Sequence, residues 1–228
     1  MKNNLNETSS TENSNREIMK NEIKEKCKSI LEKYFEDREY NKDKVNIWKN
    51  YALEEISNFV STKYKDFGFV ICIFLTSGLA SSNNLNICDS ETDNSFVISI
   101  KKTNSKTIYS EFRICFYKIN NLSVNFIKNI EEDILLEMDN LLYNKLDGKK
   151  YSSKEAKIFS IEIAQDLNDY LFKRKKPLPS SFNAIYIFPK PIKISFGYKI
   201  INLDYIPFFS SYSNDFLCSK FVLFILNN

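Results

Sequence analysis

The sequence predicts an α+β protein built as a tandem repeat of one ααββββ module, two helices packed on a four-stranded antiparallel sheet. Three observations predict it. Apolar stripes at helical spacing give way to short β-branched and aromatic runs of strand type. The stripe Val45, Trp48, Ala52, Ile56, Phe59 and Val60 returns 111 residues later as Ala156, Phe159, Ile163, Leu167, Tyr170 and Leu171. Strand runs then follow each copy in the same order, the last at an offset of 109, with Ser110 and Phe112 against Ser219 and Phe221. Any two amphipathic helices can share a stripe. A fixed order of six elements, with offset changes confined to loops, indicates duplication.

The elements follow in order. Residues 1–16, rich in Asn, Ser and Thr, read as a disordered tail. From Glu17 a helical stripe runs through Ile23, Cys27, Ile30, Leu31, Tyr34 and Phe35, and the charged stretch Asp37 to Asp43 interrupts it. The second helix starts at YNKDKVNIW and ends near Ser61. Strands are expected at Phe69 to Leu75, Leu85 to Cys88, Ser95 to Ile100 and Thr107 to Ile119, divided by turn-rich segments. The second copy has a helix over Phe126 to Leu146, stopped by Asp147 and Gly148, and a second carrying the repeated stripe. Its strands are Phe182 to Phe188, Ile192 to Ile201, Asp204 to Phe209 and Phe216 to Leu226. The domains are therefore 17–119 and 126–228, joined by a linker at 120–125. Extra residues around Pro177 to Ser181 and a shortened region between its second and third strands set the second copy apart.

Composition narrows the function. At 43% hydrophobic the chain is globular, and a net charge of +3 is too small to point to nucleic acid or an anionic membrane. No apolar run approaches the roughly 20 residues that span a bilayer. The polar first residues lack the apolar centre of a signal peptide, so the expected location is the cytoplasm. Cys27, Cys72, Cys88, Cys115 and Cys218 show no CxxC spacing and read as structural thiols.

Signatures of catalysis are missing. There is no histidine, and Gly68, Gly78, Gly148 and Gly197 form neither GxxxxGK[ST] nor GxGxxG. Asp89 to Asp93 (DSETD) begins like a calcium loop, but Asn94 and Ile100 stand where glycine and glutamate are needed, so a polar hairpin turn is the better reading. Lys173 to Lys176 ends a helix, where cations complement the dipole. The expectation is a protein that is no enzyme and holds neither metal nor cofactor.

Val45-Asn46-Ile47-Trp48 before a helix, then FGFVICIFL, CDSETDNSFVISI and KTIYSEFRICFY, together resemble the Tctex-type dynein light chains over about Glu17 to Ile119. Val45, Asn46 and Trp48 match the family's VNxW start of the second helix. Thr92 and Asp93 match its Thr-Asp turn, and Thr107 and Tyr109 the beginning of its last strand; Cys88 stands where tryptophan is common. The second copy is more divergent, with Phe159 at the tryptophan position.

The resemblance implies two helices on a four-stranded sheet and homodimers that exchange a strand. Here it implies an intramolecular pseudo-dimer of 17–119 with 126–228, the alternative being a strand-exchanged homodimer of whole chains. It also implies a non-catalytic light-chain or adaptor subunit that adds an extended peptide, such as a dynein intermediate chain segment, to a sheet edge. The edge expected from it is Leu85, Asn86, Ile87, Cys88 and Asp89. The alternative function is a structural protein of a microtubule or other cytoskeletal assembly that reuses the fold without a motor.

Overall fold

A computed structural model describes residues 4–77, 95–102, 108–118, 131–174, 181–202 and 205–226. Its elements are α1 (Asn4–Phe35), α2 (Lys42–Lys63), β1 (Phe67–Ser77), β2 (Ser95–Lys102), β3 (Ile108–Lys118), α3 (Glu131–Leu146), α4 (Ser153–Arg174), β4 (Ser181–Pro189), β5 (Ile194–Ile201), β6 (Tyr205–Ser213) and β7 (Leu217–Leu226). The protein is thus α+β, with two helices leading into strands in each half.

One expectation needs correcting at the start of the chain. α1 begins at Asn4 rather than Glu17, so most of the expected disordered tail is helix. The first 16 residues hold neither Gly nor Pro, and Asn, Ser and Thr carry only modest helix penalties, so nothing stops the helix extending upstream.

Local chemistry sets the other boundaries. Asn41 caps α2, its side-chain oxygen accepting the Asp43 and Lys44 amides at 3.1 Å each. Val45, Ala52, Leu53, Ile56 and Val60 form the buried face of that helix. α1 is tied to α2 through the Glu55 carboxylate, which accepts from Lys26 at 2.7 Å, Lys33 at 2.6 Å and Tyr34 at 3.0 Å. α3 ends where Gly148 takes a positive φ of 66°. Asn214 then donates to the Leu146 and Lys149 carbonyls and accepts the Phe216 and Leu217 amides, joining this helix end to the β6–β7 turn.

Both sheets are antiparallel. The first has the order β2-β3-β1-β5 and the second β4-β7-β6. The registers correspond: Ile73 lies opposite Phe112 as Ile185 lies opposite Phe221. β4, β7 and β6 therefore occupy the places of β1, β3 and β2. β5 breaks the pattern. It comes from the second half yet pairs along β1, from Phe69↔Ile201 to Thr76↔Ile194. Among the described residues the first-half sheet is completed by a strand of the other half, which corrects the simple ααββββ description.

Strand alternation gives each sheet two apolar faces. Phe69, Ile71, Ile73 and Leu75 pack with α1 and α2 in one core, and Ile185, Ile187, Phe221 and Leu223 pack with α3 and α4 in another. The opposite faces meet. Val70, Cys72, Phe74 and Cys115 of the first sheet pack against Ala184, Tyr186, Phe188, Val222 and Phe224 of the second. The layers run helix, sheet, sheet, helix.

Candidate peptide-docking edge

Only an edge strand has backbone groups left to pair with a ligand, which turns attention to β5. Among the described residues β5 is terminal in the first sheet. The Ser77 amide donates to the Lys193 carbonyl at 2.9 Å, which fixes the hydrogen-bonding phase. Ser195, Gly197, Lys199 and Ile201 then face β1, and Ile194, Phe196, Tyr198 and Ile200 turn their N–H and C=O groups outward.

α2 lies beside this edge, and glycine allows it. A Cβ on Gly197 would stand 2.8 Å from Leu53 Cδ1 and 2.9 Å from Lys49 Cδ. Lys49 reaches across the gap. Its Nζ donates to Asn46 Oδ1 at 3.2 Å, to Ser195 Oγ at 3.2 Å and to the outward Phe196 carbonyl at 3.0 Å. Ser195 Oγ also donates to Asn46 Oδ1 at 2.9 Å. Burial pulls the Lys49 ammonium below the ordinary lysine range. Further along, Lys199 of β5 pairs with Glu54 of α2.

The other face of β5 overlooks a cleft toward β6. Phe196 and Phe209 meet edge to face at 5.7 Å, and Tyr198 lies 5.3 Å from Phe209. Phe209 is 43% exposed and Tyr198 39%, so the aromatic cluster opens to solvent. Phe196, Phe209, Ser211, Lys220 and Val222 bound a cavity of about 210 Å³ there.

Deeper between the sheets sits a buried charged cluster. Arg113 Nε donates to Glu111 Oε1 at 2.7 Å, and the Tyr109 hydroxyl donates to Glu111 Oε2 at 2.9 Å. Both charged side chains are closed to solvent. The guanidinium lies 4.6 Å from the ring centre of Tyr186, in the other half. Burial pushes the Tyr186 hydroxyl well above the usual tyrosine range.

The sequence-predicted residues are placed as follows. Val45 is buried in the helix core, and Trp48 packs at its rim with the Arg38 guanidinium 4.4 Å from its ring centre. Asn46 meets β5, while Tyr109 belongs to the buried cluster, away from the docking edge. Leu85, Asn86, Ile87, Cys88, Asp89, Thr92, Asp93 and Thr107 lie outside the described residues. The strand seen beside α2 is β5. Lys49, Phe196, Phe209 and Lys220 were not anticipated. Phe196 and Phe209 lie inside expected strands with nothing local to mark them, and nothing local marks Lys49 apart from other helix lysines. Glu111 and Arg113 carried a signal, since alternate charges inside an apolar strand share one buried face.

Among the described residues no helix is long and apolar enough to cross a membrane, and no cluster of three His, Cys, Asp or Glu side chains could hold a metal ion. A search of curated proteins gives no match. The Tctex-1 family profile matches residues 17–112, a span that takes in most of α1, all of α2, β1 and β2, and β3 as far as Phe112. Two helices feeding an antiparallel sheet, with the VNxW residues at the start of the second helix, are what that match covers, and over residues 17–112 the chain is similar to the Tctex-1 family.

Proposed function

We propose that the protein is a non-catalytic adaptor of dynein light-chain type, which holds an extended peptide as an added strand on the outer edge of β5. The observation that carries this reading is the outward backbone of Ile194, Phe196, Tyr198 and Ile200 beside α2. Such an edge gives affinity through main-chain pairing, and the side chains on either face give selectivity. A dynein intermediate chain segment is the partner that the family suggests. Residues 126–228 act in this reading as a divergent second copy of the module, and the chain works as a monomeric pseudo-dimer in the cytoplasm at the cytoskeleton.

The matching helix stripes and the corresponding strand registers support the second-copy reading. Interlocking through β5 supports the pseudo-dimer, because the first-half sheet takes its last strand from the second half. The test is hydrogen exchange on the full chain with and without a peptide from the dynein intermediate chain of the same cells. Binding should slow exchange at the Phe196, Tyr198 and Ile200 amides. Protection elsewhere with β5 unchanged would refute the site, and absence of binding together with failure to capture that chain from lysate would refute the partner.

A further inference from the structure

We propose that the β5 edge selects acidic peptides, with ligand carboxylates meeting Lys49 and Lys220 while one large apolar side chain enters the cleft between β5 and β6. This rests on the strand-addition reading above and supplies its ligand chemistry. The cleft volume of about 210 Å³ sets the anchor. A cavity of about 150 Å³ holds benzene, and small-molecule pockets begin near ~300 Å³. The space therefore suits a single aromatic or branched aliphatic side chain, and Phe196, Phe209 and Val222 give it an apolar wall.

Charge then distinguishes between ligands. Lys49 spends its hydrogen bonds on three neutral oxygens, and among the described residues no carboxylate pairs with it. Lys220 lies in the central strand of its sheet, yet it is exposed and lines the cleft, again with no carboxylate paired among the described residues. Two acids are already paired with cations, Glu54 with Lys199 and Glu111 with Arg113, while Asp139 of α3 accepts from the Ser210 hydroxyl. Among the described residues the groove is left with two cations that no carboxylate pairs. A basic ligand would meet repulsion there, and a neutral one would gain no charge pairing.

Alternation fixes the pattern. Successive side chains of an added strand point to opposite faces, one toward α2 and Lys49, the other toward the cleft and Lys220. An acidic residue directly beside the apolar anchor serves Lys49, and a second acid two positions beyond the anchor serves Lys220. The incoming amide also replaces the Lys49 ammonium at the Phe196 carbonyl, freeing that charge for the ligand.

Fluorescence polarisation on the full chain tests this with labelled Thr-Val-Glu-Leu-Thr-Glu-Val and its Gln-for-Glu and Lys-for-Glu counterparts. The acidic peptide should bind about fivefold tighter than the Gln peptide, and the Lys peptide most weakly. Added salt should shrink that advantage. Lys49→Gln and Lys220→Gln should each reduce the ratio of acidic to Gln peptide affinity, with circular dichroism unchanged. Equal binding of the acidic and Gln peptides would overturn the charge selection while leaving strand addition standing. Binding of none of the three would overturn both. A Lys49→Gln protein that gains the Gln peptide and loses nothing toward the acidic one would make Lys49 only a guard of the open edge, which also overturns the proposal.

Discussion

Replacing Arg113 by methionine perturbs the contact between the halves at its most buried point. The Glu111 carboxylate would remain fully buried without the guanidinium that lies 2.7 Å away. Removing one member of such a pair costs about 3–5 kcal/mol, because the remaining charge keeps its desolvation penalty. One circumstance places this case at the lower end. Arg113 Nη1 is buried without a hydrogen-bond partner among the described residues, so part of the penalty is uncompensated already. About 3 kcal/mol is the expected loss for Arg113→Met, a large share of the roughly 5–15 kcal/mol that stabilises a typical domain. The double variant Glu111→Leu/Arg113→Met removes both charges and should return to within about 1 kcal/mol of the parent, since apolar replacements of a whole buried pair are often neutral or better. Urea unfolding provides the assay, followed by the fluorescence of Trp48, the single tryptophan, and by far-ultraviolet circular dichroism. Coincident transitions would show the interlocked halves unfolding as one unit. A loss below about 1 kcal/mol in the single variant, or a double variant as weak as the single, would refute the reasoning.

Other perturbations test other joints of the structure. Glu55 is held at about 2 by Lys26 first, then by Lys33, with Tyr34 adding to them. A depressed carboxylate contributes stability above its unfolded value that is lost as pH falls through the folded one; Glu55→Gln should therefore cost about 1 kcal/mol at neutral pH, after allowance for solvent screening, and the urea midpoints of variant and parent should converge toward pH 2. Asn214→Ala removes a bracket between the α3 end and the β6–β7 turn, and thermal unfolding should register a loss of about 1–2 kcal/mol. Light scattering should return the monomer mass of 26.8 kDa; about 54 kDa would mean strand exchange between chains.

Much of this fold was legible because its periodicities are local. The stripe from Val45 to Val60 is the buried face of α2, and the alternation in FGFVICIFL sends Ile71 and Ile73 to the helices and Cys72 and Phe74 to the other sheet. Helix stops were readable where the backbone demands them, as at Asp147-Gly148. The partner of each strand was not readable, since pairing is decided by contacts distant in sequence. Ile194 to Ile201 reads as an ordinary second strand of its own half, and only the structure places it along β1. The same non-locality concealed the candidate edge: Lys49 and Ser195 are 146 residues apart and become neighbours only because β5 crosses over.

Fusion gives the two halves a freedom that identical subunits lack. By register, Glu111 and Arg113 correspond to Lys220 and Val222, and Tyr186 corresponds to Phe74. The first half thus places a neutralised ion pair between the sheets, closed to solvent, where the second half places an exposed lysine and a valine at an open cleft. In a symmetric homodimer of first halves, Arg113 would face Phe74 in place of Tyr186, and the ion pair would be buried twice. A homodimer of second halves would place Lys220 and Val222 at both positions, with no ion pair there. The unlike pairing buries one ion pair and leaves one cleft open, so covalent linkage of the halves permits the candidate docking edge to differ from its counterpart.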